Sequence, residues 1–365
     1  MTQSLLYGEI EDELRANVRA MLAERCPLPA VLERCEGPEP YDLTLWRTLA
    51  VELGCAGLAV PEEHGGVGAS FREAAVVLEE LGRAVAPVPF LGSAVVATSA
   101  LLACGERELL PELASGARTA ALALPFSTAP RTGSAPAAPT VRAAGDALTG
   151  TVTSVADGLP ADVLLVPVPG ALYAVQAGEQ GRVTRSAVVS LDLTRQLCDV
   201  TLDAAPGRPL ATGDAADRAV AAALTTGAAL LASEQLGVAQ WCLDTTIEHL
   251  KTRYQFGRPI GSFQALKHRL ADLWVDVSQA RAVARYAVAC VVSADPDTAV
   301  ATALAQAHCS AVAVAAAQEC VQMLGGIGFT WEHGAHLYLK RAKSDSIAFG
   351  TPDQHRTALA TLVDL

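Results

Sequence analysis

The chain has 365 residues, a length typical of two or three structural units that share interfaces rather than of one domain. Its formal net charge is −12 and it has no long run of Lys or Arg, which argues against nucleic-acid binding because phosphate neutralisation needs clustered cations. Hydrophobic residues make up 51% of the chain and aromatic residues only 5%, so we expect closely packed helices of small residues rather than an aromatic-filled β-sandwich.

The N-terminus and the cysteines indicate a cytoplasmic protein. The amphipathic stretch "MTQSLLYGEIEDELRANVRAMLAE" lacks the basic start and the continuous apolar run of a signal peptide. We find no span of membrane-helix length that is free of interrupting polar groups. The nine cysteines include no C-x-x-C pair and most lie in apolar surroundings, as reduced core thiols do. We therefore expect a soluble, cytoplasmic protein without membrane association.

The first two zones of the chain are helical and then β-rich. Residues 1–118 predict a helical domain that is interrupted by Pro- and Gly-containing loops at residues 57–70 and 84–93. Residues 119–211 predict a small antiparallel β domain, because several segments there are short, β-branched and partly alternating. These segments are "ALTGTVTSV", "ADVLLVPV", "ALYAVQAG" and "CDVTLDA". A Pro/Ala/Ser-rich loop at residues 125–140 has little to bury.

The helical period returns over residues 212–365 and predicts a C-terminal four-helix bundle. From Leu266 to Val291 apolar residues recur every three or four positions, which is the pattern of a long amphipathic helix. Residues 298–324 are almost entirely Ala, Val and other small residues, so we predict a helix at the centre of the bundle or of a subunit interface. The order helical, β, helical predicts an α+β fold.

Several local motifs are weak when each is taken alone. Arg253 follows a predicted helix and suits a phosphate, although an exposed helix-end arginine is the simpler interpretation. The "GGIG" at residues 325–328 follows a helix rather than a strand, which argues against a dinucleotide-binding fingerprint. His333 and His336 form an H-x-x-H pair without a third ligand at suitable spacing, so we expect no metal site. The residues expected on a solvated helix face are Lys340, Arg341 and Lys343.

Taken together and in order, these stretches resemble the acyl-CoA dehydrogenase family. In the C-terminal part the resemblance lies in "RYQFGRPIGSFQ" from Arg253, "QMLGGIGF" from Gln322, and "KRAK" ahead of "GT". The segments "GLAVPEEHGGVGAS" and "LEELGRAVAPVPFLGS" are similar to the family's N-terminal helical domain. The segment "LTGTVTSVADGLPADVLLVPV" is similar to its central β domain, so the resemblance covers nearly the whole chain.

The resemblance implies FAD-dependent α,β-dehydrogenation of an acyl-CoA thioester. In the family a glutamate removes the α-proton, flavin N5 accepts the β-hydride, and electron-transferring flavoprotein usually reoxidises the flavin. Members are usually tetramers built from subunit pairs, with FAD lying across the pair. The residues here that match contacts to the neighbouring subunit's FAD, or a position near it, are Arg253, Phe256, Gln264, Gln322 and Gly326. The backbone around Thr351 and Asp353 matches a segment that touches the subunit's own FAD.

The other half of the family's site is poorly kept in this sequence. The usual base position is Phe349, which cannot accept a proton, and a second base location known in the family falls on Gly227. The usual Thr-Glu-Pro and Gly-Ser-Asp segment reads "PFSTAPRTGSAP", and "VTSVADG" stands where the family has Trp-Ile-Thr. Glu234, one helical stretch further on, is expected to be a helix-packing position.

Because the losses lie on one side of the site, the chain resembles the non-catalytic (β-type) subunit of actinobacterial heterotetrameric (α2β2) acyl-CoA dehydrogenases. In this interpretation it lends half of the FAD site to a second acyl-CoA dehydrogenase-like subunit that carries the catalytic Glu. A sterol side-chain CoA ester is the substrate suggested by analogy. Two alternatives remain: a self-sufficient homo-oligomeric enzyme with a displaced base such as Asp353 or Glu332, and a non-catalytic acyl-CoA-binding scaffold.

Phe349 itself has two interpretations. It is either a plug that fills an unused pocket with an apolar ring, or a neutral replacement left after the base was no longer needed. The sequence favours neither. Because the flavin-facing loop is also altered, we expect that a glutamate at position 349 does not restore activity.

Overall fold

The computed structural model describes residues 5–130 and 139–365. The N-terminal helices are α1 (Glu9–Arg25), α2 (Leu28–Glu36), α3 (Leu43–Arg47), α4 (Phe71–Ala84), α5 (Thr98–Cys104) and α6 (Leu110–Ala114). Turns of π-helix follow α3 at Thr48–Glu52 and precede α5 at Leu91–Ala97. The second of these turns begins inside the loop predicted over residues 84–93, so the predicted loop is too long at its C-terminal end. The helix can begin directly after Pro89 because proline is tolerated at the start of a helix.

In the part of the chain that the structure describes, the central sheet has seven strands. They are β1 (Ala120–Leu122), β2 (Arg142–Ala144), β3 (Ala147–Ala156), β4 (Val163–Val168), β5 (Ala171–Gln176), β6 (Val183–Ala187) and β7 (Leu197–Thr212). Their order is β1-β4-β5-β7-β3-β2, and β6 also pairs with β7. The pairing is antiparallel except between β1 and β4. Long strand β7 pairs first with β3 and β6 and then with β5, and so joins the two halves of the sheet.

The C-terminal part is a helical bundle with a short hairpin. Its elements are α7 (Asp214–Thr252), β8 (Tyr254–Gln255), β9 (Arg258–Pro259), α8 (Gln264–Ser293), α9 (Thr298–Leu324), α10 (Ala335–Asp345) and α11 (Pro352–Leu362). Helix α7 and the helical region that begins with α9 are long and apolar enough to cross a membrane by length and composition alone. However, 78% and 61% of their most apolar windows are buried inside the protein, which is how core helices behave.

Helix α7 lies at the centre of the molecule and contacts α4, α5, α8 and α9. Glycines let it cross α4 with the two backbones in direct contact. A Cβ atom at Gly237 would lie 1.9 Å from the carbonyl oxygen of Glu79, and one at Gly82 would lie 2.2 Å from that of Glu234. The candidate site lies beside α7, where this helix meets the sheet and the loop between α10 and α11.

Candidate active site

Phe349 lies in the loop between α10 and α11, with only 4% of its surface exposed. Its backbone has a φ of 52°, in the left-handed region, and two hydrogen bonds hold it there. Its N–H donates to the carbonyl oxygen of Phe126 at 2.8 Å, and its own carbonyl oxygen lies 2.9 Å from Nε2 of His355. The rings of Phe349 and Phe126 pack edge to face, with centroids 5.4 Å apart and an interplanar angle of 71°. The base position of the family is therefore filled by a fixed aromatic ring.

Gly227, the second base location, lies on α7 directly against this ring. A Cβ atom at Gly227 would lie 2.8 Å from Cζ of Phe349 and 2.9 Å from Cγ2 of Val96. These distances are shorter than van der Waals contact. A side chain at residue 227 and the ring of Phe349 in its present place therefore exclude each other.

The cavity that remains beside the ring has a volume of about 30 Å³. It is lined by apolar groups from the N-terminal helices, the sheet and α7, including Leu91, Val96, Leu122 and Leu224. Pockets for small ligands usually measure roughly 300–1,000 Å³, and one water molecule takes up about 30 Å³ of the liquid. The cavity is too small for an acyl chain or a flavin ring.

Asp157 is the one ionisable residue among the described residues that line this cavity. It is 2% exposed, and its Oδ2 accepts a hydrogen bond from the N–H of Gly92 at 2.8 Å. Its Oδ1 lies 3.0 Å from the hydroxyl of Tyr41. Burial raises the pKa of Asp157, while the positive charge of Arg195 opposes the rise. Both carboxyl oxygens accept hydrogen bonds from groups of this chain, so Asp157 is a structural residue rather than a free base.

A cluster of buried ionisable side chains joins α7, α10 and the loop between β6 and β7. Arg195 contacts both Glu234 and Asp345, with nitrogen–oxygen distances of 2.6 and 2.7 Å. Arg341 contacts Glu234 at 2.6 Å and Asp192 at 2.8 Å. Each of these side chains is at most 6% exposed. The cluster lies directly behind the aromatic rings, because the guanidinium carbon of Arg195 is 5.4 Å from the ring centroid of Phe126.

The two carboxyl groups that share Arg195 titrate in opposite directions. Burial favours the neutral form of Glu234, but the charges of Arg195 and Arg341 outweigh it and hold its pKa below the usual value. Burial and the neighbouring charge of Glu234 raise the pKa of Asp345 to about 8, against the pull of Arg195. At neutral pH we therefore expect Glu234 to be ionised and Asp345 to be protonated.

This cluster corrects one expectation and refines another. Arg341 does not lie on a solvated helix face: its side chain is 2% exposed, because α10 turns it inward to meet Asp192 and Glu234. Lys343 is exposed, and Lys340 lies 4.4 Å from the ring centroid of Trp331. Glu234 does occupy a packed position in α7, but as an ion-pair partner. Sequence reasoning missed Arg195 and Asp192, because the loop that carries them has no local sequence pattern that predicts burial.

The residues matched to the neighbouring subunit's FAD lie elsewhere, on the surface. They are Arg253, Phe256, Gln264, Gln322 and Gly326, and each is exposed. Helices α7 and α9 run side by side in the same direction, because Ala228 contacts Gln306 and, further along both helices, Cys242 contacts Cys320. Their C-terminal ends therefore meet at one end of the bundle. None of the five lines the cavity beside Phe349. The structure therefore separates the retained residues from the altered half of the site.

The remaining predicted residues have local roles. Thr351 is the N-cap of α11, where its Oγ1 accepts a hydrogen bond from the N–H of Gln354. Asp353 is exposed and pairs with Arg356 at 2.7 Å. Glu332 is also exposed, and neither carboxylate lines the cavity. Of the altered segment "PFSTAPRTGSAP" and the loop around it, residues 131–138 lie outside the described residues.

Comparison with known proteins decides the family. Residues 8–117 match the family described as acyl-CoA dehydrogenase, N-terminal domain, and residues 217–363 match the one described as acyl-CoA dehydrogenase, C-terminal domain. The chain belongs to the acyl-CoA dehydrogenase family. This membership confirms the predicted fold and places the chain in a family of oxidoreductases whose members bind FAD and dehydrogenate acyl-CoA.

Several relatives are similar to this chain over nearly their whole length. The acyl-CoA dehydrogenase IpdE2 of Mycolicibacterium smegmatis is 38% identical over 94% of this chain and 96% of its own. Among solved structures, the ChsE4-ChsE5 complex from Mycobacterium tuberculosis is 29% identical with a TM-score of 0.87, and 99% of each chain is covered. A variant of the Tcur3481-Tcur3483 steroid ACAD is 30% identical with a TM-score of 0.85 over 99% of each chain.

Two regions of the chain differ in how well they fit FAD, the cofactor that members of the family bind. The space beside Phe349 does not fit an isoalloxazine ring, because two phenylalanine rings fill it. The exposed end of the bundle fits better. Within the described residues the Arg253 side chain has no hydrogen bond, and a Cβ atom at Gly326 would meet nothing within 4 Å. An anionic group has room to approach both.

Proposed function

We propose that this chain is the non-catalytic subunit of a heteromeric, FAD-dependent acyl-CoA dehydrogenase. It lends half of an FAD site to a second acyl-CoA dehydrogenase-like subunit, which carries the catalytic Glu, in an assembly of two copies of each chain. One observation carries the proposal: the retained cofactor residues face outward at one end of the bundle, whereas the chain's own base positions are filled by the ring of Phe349.

The residues of this chain would hold the cofactor and leave the proton transfer to the partner. FAD supplies the hydride acceptor when it is bound. The guanidinium of Arg253 is exposed and suits a diphosphate, to which it can donate paired, charge-assisted hydrogen bonds. The ring of Phe256 is 87% exposed at the tip of the β8–β9 hairpin and offers an aromatic face to a cofactor outside the chain. Gly326 leaves the backbone after α9 open to close approach.

The substrate we propose is an acyl-CoA thioester, with a sterol side-chain ester as the specific candidate. The support is the similarity to a structure described as a steroid ACAD and to a complex of two different chains. Electron-transferring flavoprotein is the proposed acceptor of the electrons, by analogy with the family. The proposed location is the cytoplasm.

The proposal is tested by removing the charge of Arg253 in the complex with the partner chain. Arg253→Ala should weaken FAD binding roughly tenfold to a hundredfold, the usual cost of a lost hydrogen bond to a charged group. Arg182→Ala is the matched control, because Arg182 is an exposed arginine in the turn before β6 that donates to the backbone of Asp203. Flavin absorbance of the purified complexes is the measurement. Equal FAD content in both variants contradicts the proposal.

Gly326→Val gives an independent test of the same surface. The added side chain meets no atom of this chain near its Cβ, so the variant should fold and assemble normally. It should nevertheless lower the FAD content of the complex, because its bulk enters the space proposed for the cofactor. A Gly326→Val complex with the wild-type content of FAD shows that the cofactor does not approach this residue.

The self-sufficient alternative has no supporting observation. Its candidate bases Asp353 and Glu332 are exposed and lie outside the cavity beside Phe349. Asp353→Asn and Glu332→Gln should therefore leave the turnover of the complex unchanged. The scaffold alternative predicts a complex without flavin absorbance, whatever the partner.

A further inference from the structure

Two base positions that are far apart in the sequence meet at one point of the fold. Residue 349 follows α10 and residue 227 lies within α7, yet the ring of Phe349 is 2.8 Å from where a side chain at Gly227 would begin. A base must lie within hydrogen-bond reach of the proton that it removes. Because both positions serve as base locations in this family, their meeting point marks where the reacting carbon of an acyl chain would lie.

Phe126 and Phe349, together called the aromatic pair, fill this point. The two rings pack against each other and are joined by a backbone hydrogen bond of 2.8 Å. The guanidinium of Arg195 lies 5.4 Å from the ring centroid of Phe126, and His355 holds the carbonyl of Phe349. The pair is thus held by one internal hydrogen bond and by contacts with Arg195 and His355, and about 30 Å³ of empty space remains beside it.

We propose that the aromatic pair occupies the acyl pocket of this subunit, so that the complex takes acyl-CoA on the partner's side alone. The inference rests on the proposed function in so far as it assumes a partner with its own open pocket. It goes beyond the loss of a base, which would leave a subunit that still binds substrate without turning it over. The filled pocket excludes the apolar acyl tail itself.

The residues that line the cavity are suited to an apolar ligand. Apart from Asp157, the described residues that line the cavity bring apolar or backbone groups, among them Leu91, Val96 and Leu224. Shortening both rings of the pair to methyl groups would join their volumes to the existing cavity. A dry, apolar cavity of about 150 Å³ in another protein binds benzene, so a space of this kind accepts small apolar molecules.

The test compares three forms of the complex with the partner chain: wild type, Phe126→Ala with Phe349→Ala, and Phe126→Leu with Phe349→Leu. The leucine variant keeps most of the apolar bulk and is the matched control. The probes are benzene and S-hexyl-CoA, a thioether that cannot be dehydrogenated as an acyl-CoA thioester is. Calorimetric titration counts the bound probes, and flavin absorbance of the same samples reports on FAD.

The alanine variant should bind one more copy of each probe per pair of chains than the wild-type complex does. The leucine variant should bind no more of either probe than the wild type. No gain for either probe, or an equal gain in the leucine variant, overturns the inference. Binding of benzene alone also overturns it, since it shows a sealed cavity rather than an acyl pocket. If the double variant does not fold, Phe349→Ala alone is compared with Phe349→Leu under the same criteria. A wild-type complex without FAD counts against the proposed function and leaves the probe counts interpretable.

Discussion

At the scale of single residues, Phe349 changes two properties of the site at once. It removes the proton acceptor, and its ring takes the space in front of α7 and against Phe126. The first property follows from the side chain alone. The second depends on the contact of three chain segments, so it favours the plug over a neutral replacement.

Phe349→Glu should not restore dehydrogenation to this chain. The new carboxylate would lie beside the ring of Phe126 in a cavity without room for a thioester, and its burial would disfavour the charged form that a base requires. We also expect a loss of roughly 3 kcal/mol of stability from the lost ring packing. Acyl-CoA oxidation by the purified variant without a partner would contradict this account of the pocket.

Gly227→Ala tests whether the ring and α7 share one space. The added Cβ would lie 2.8 Å from Phe349, so we expect a loss of about 1–3 kcal/mol in the free energy of unfolding, as in other overpacked cores. The same substitution in a Phe349→Ala background should cost less, although the contact with Val96 remains. Denaturant unfolding of the four proteins in the cycle measures this coupling. Additive losses would show that the two residues do not compete for space.

The sequence reveals the missing base but not the filled pocket. That neither Phe349 nor Gly227 can accept a proton follows from residue identity together with the family resemblance. That they touch each other, and that Phe126 joins them, depends on how a sheet loop, α7 and the loop after α10 meet in space. No local pattern in "ALPFSTAP" or "SIAFGTPD" reports contacts across such distances along the chain.

At the scale of elements, a buried network of ion pairs and hydrogen bonds fastens the sheet to the bundle. The loop between β6 and β7 contributes Asp192 and Arg195, α7 contributes Glu234, and α10 contributes Arg341 and Asp345. Removing one partner from such a cluster typically costs about 3–5 kcal/mol, because the others are left buried without compensation. The cluster therefore fixes the support behind the aromatic pair.

Asp345→Asn should alter the pH dependence of stability. The pKa of Asp345 rises from the usual 3.8 to about 8 on folding, so the native state holds a proton that the unfolded chain releases between these values. The resulting stabilisation is complete below the unfolded pKa and is lost as the pH rises through about 8. The neutral amide avoids this loss, so the variant should gain stability relative to the wild type as the pH increases. Thermal unfolding across this range is the measurement, and parallel curves would contradict a protonated Asp345.

Elements were predictable where the pattern was strong and unbroken. The Ala- and Val-rich run at residues 298–324 predicts α9 with its observed limits, because small apolar residues fit a helix that is largely buried. Strands β2 and β6 were missed because they are short and largely exposed, which leaves no alternation to read. The domain limits drawn from composition, at residues 118 and 211, remain predictions.

At the scale of the whole molecule, the exposed apolar side chains indicate a surface that another protein covers. Large apolar side chains remain exposed in the C-terminal bundle, including Phe256 at 87%, Phe329 at 75%, Trp274 at 60% and Trp331 at 54%. Exposed aromatic residues of this kind are typical of surfaces that another protein covers. Together with the exposed Arg253, they support a partner on the surface of the C-terminal bundle.

The most direct test of the central claim is the flavin content of the purified chain alone and with its partner. We predict that the single chain binds little FAD and oxidises no acyl-CoA, whereas the complex holds one FAD per pair of chains and turns over. A homo-oligomer of this chain that carries a full complement of FAD and dehydrogenates an acyl-CoA would contradict the account.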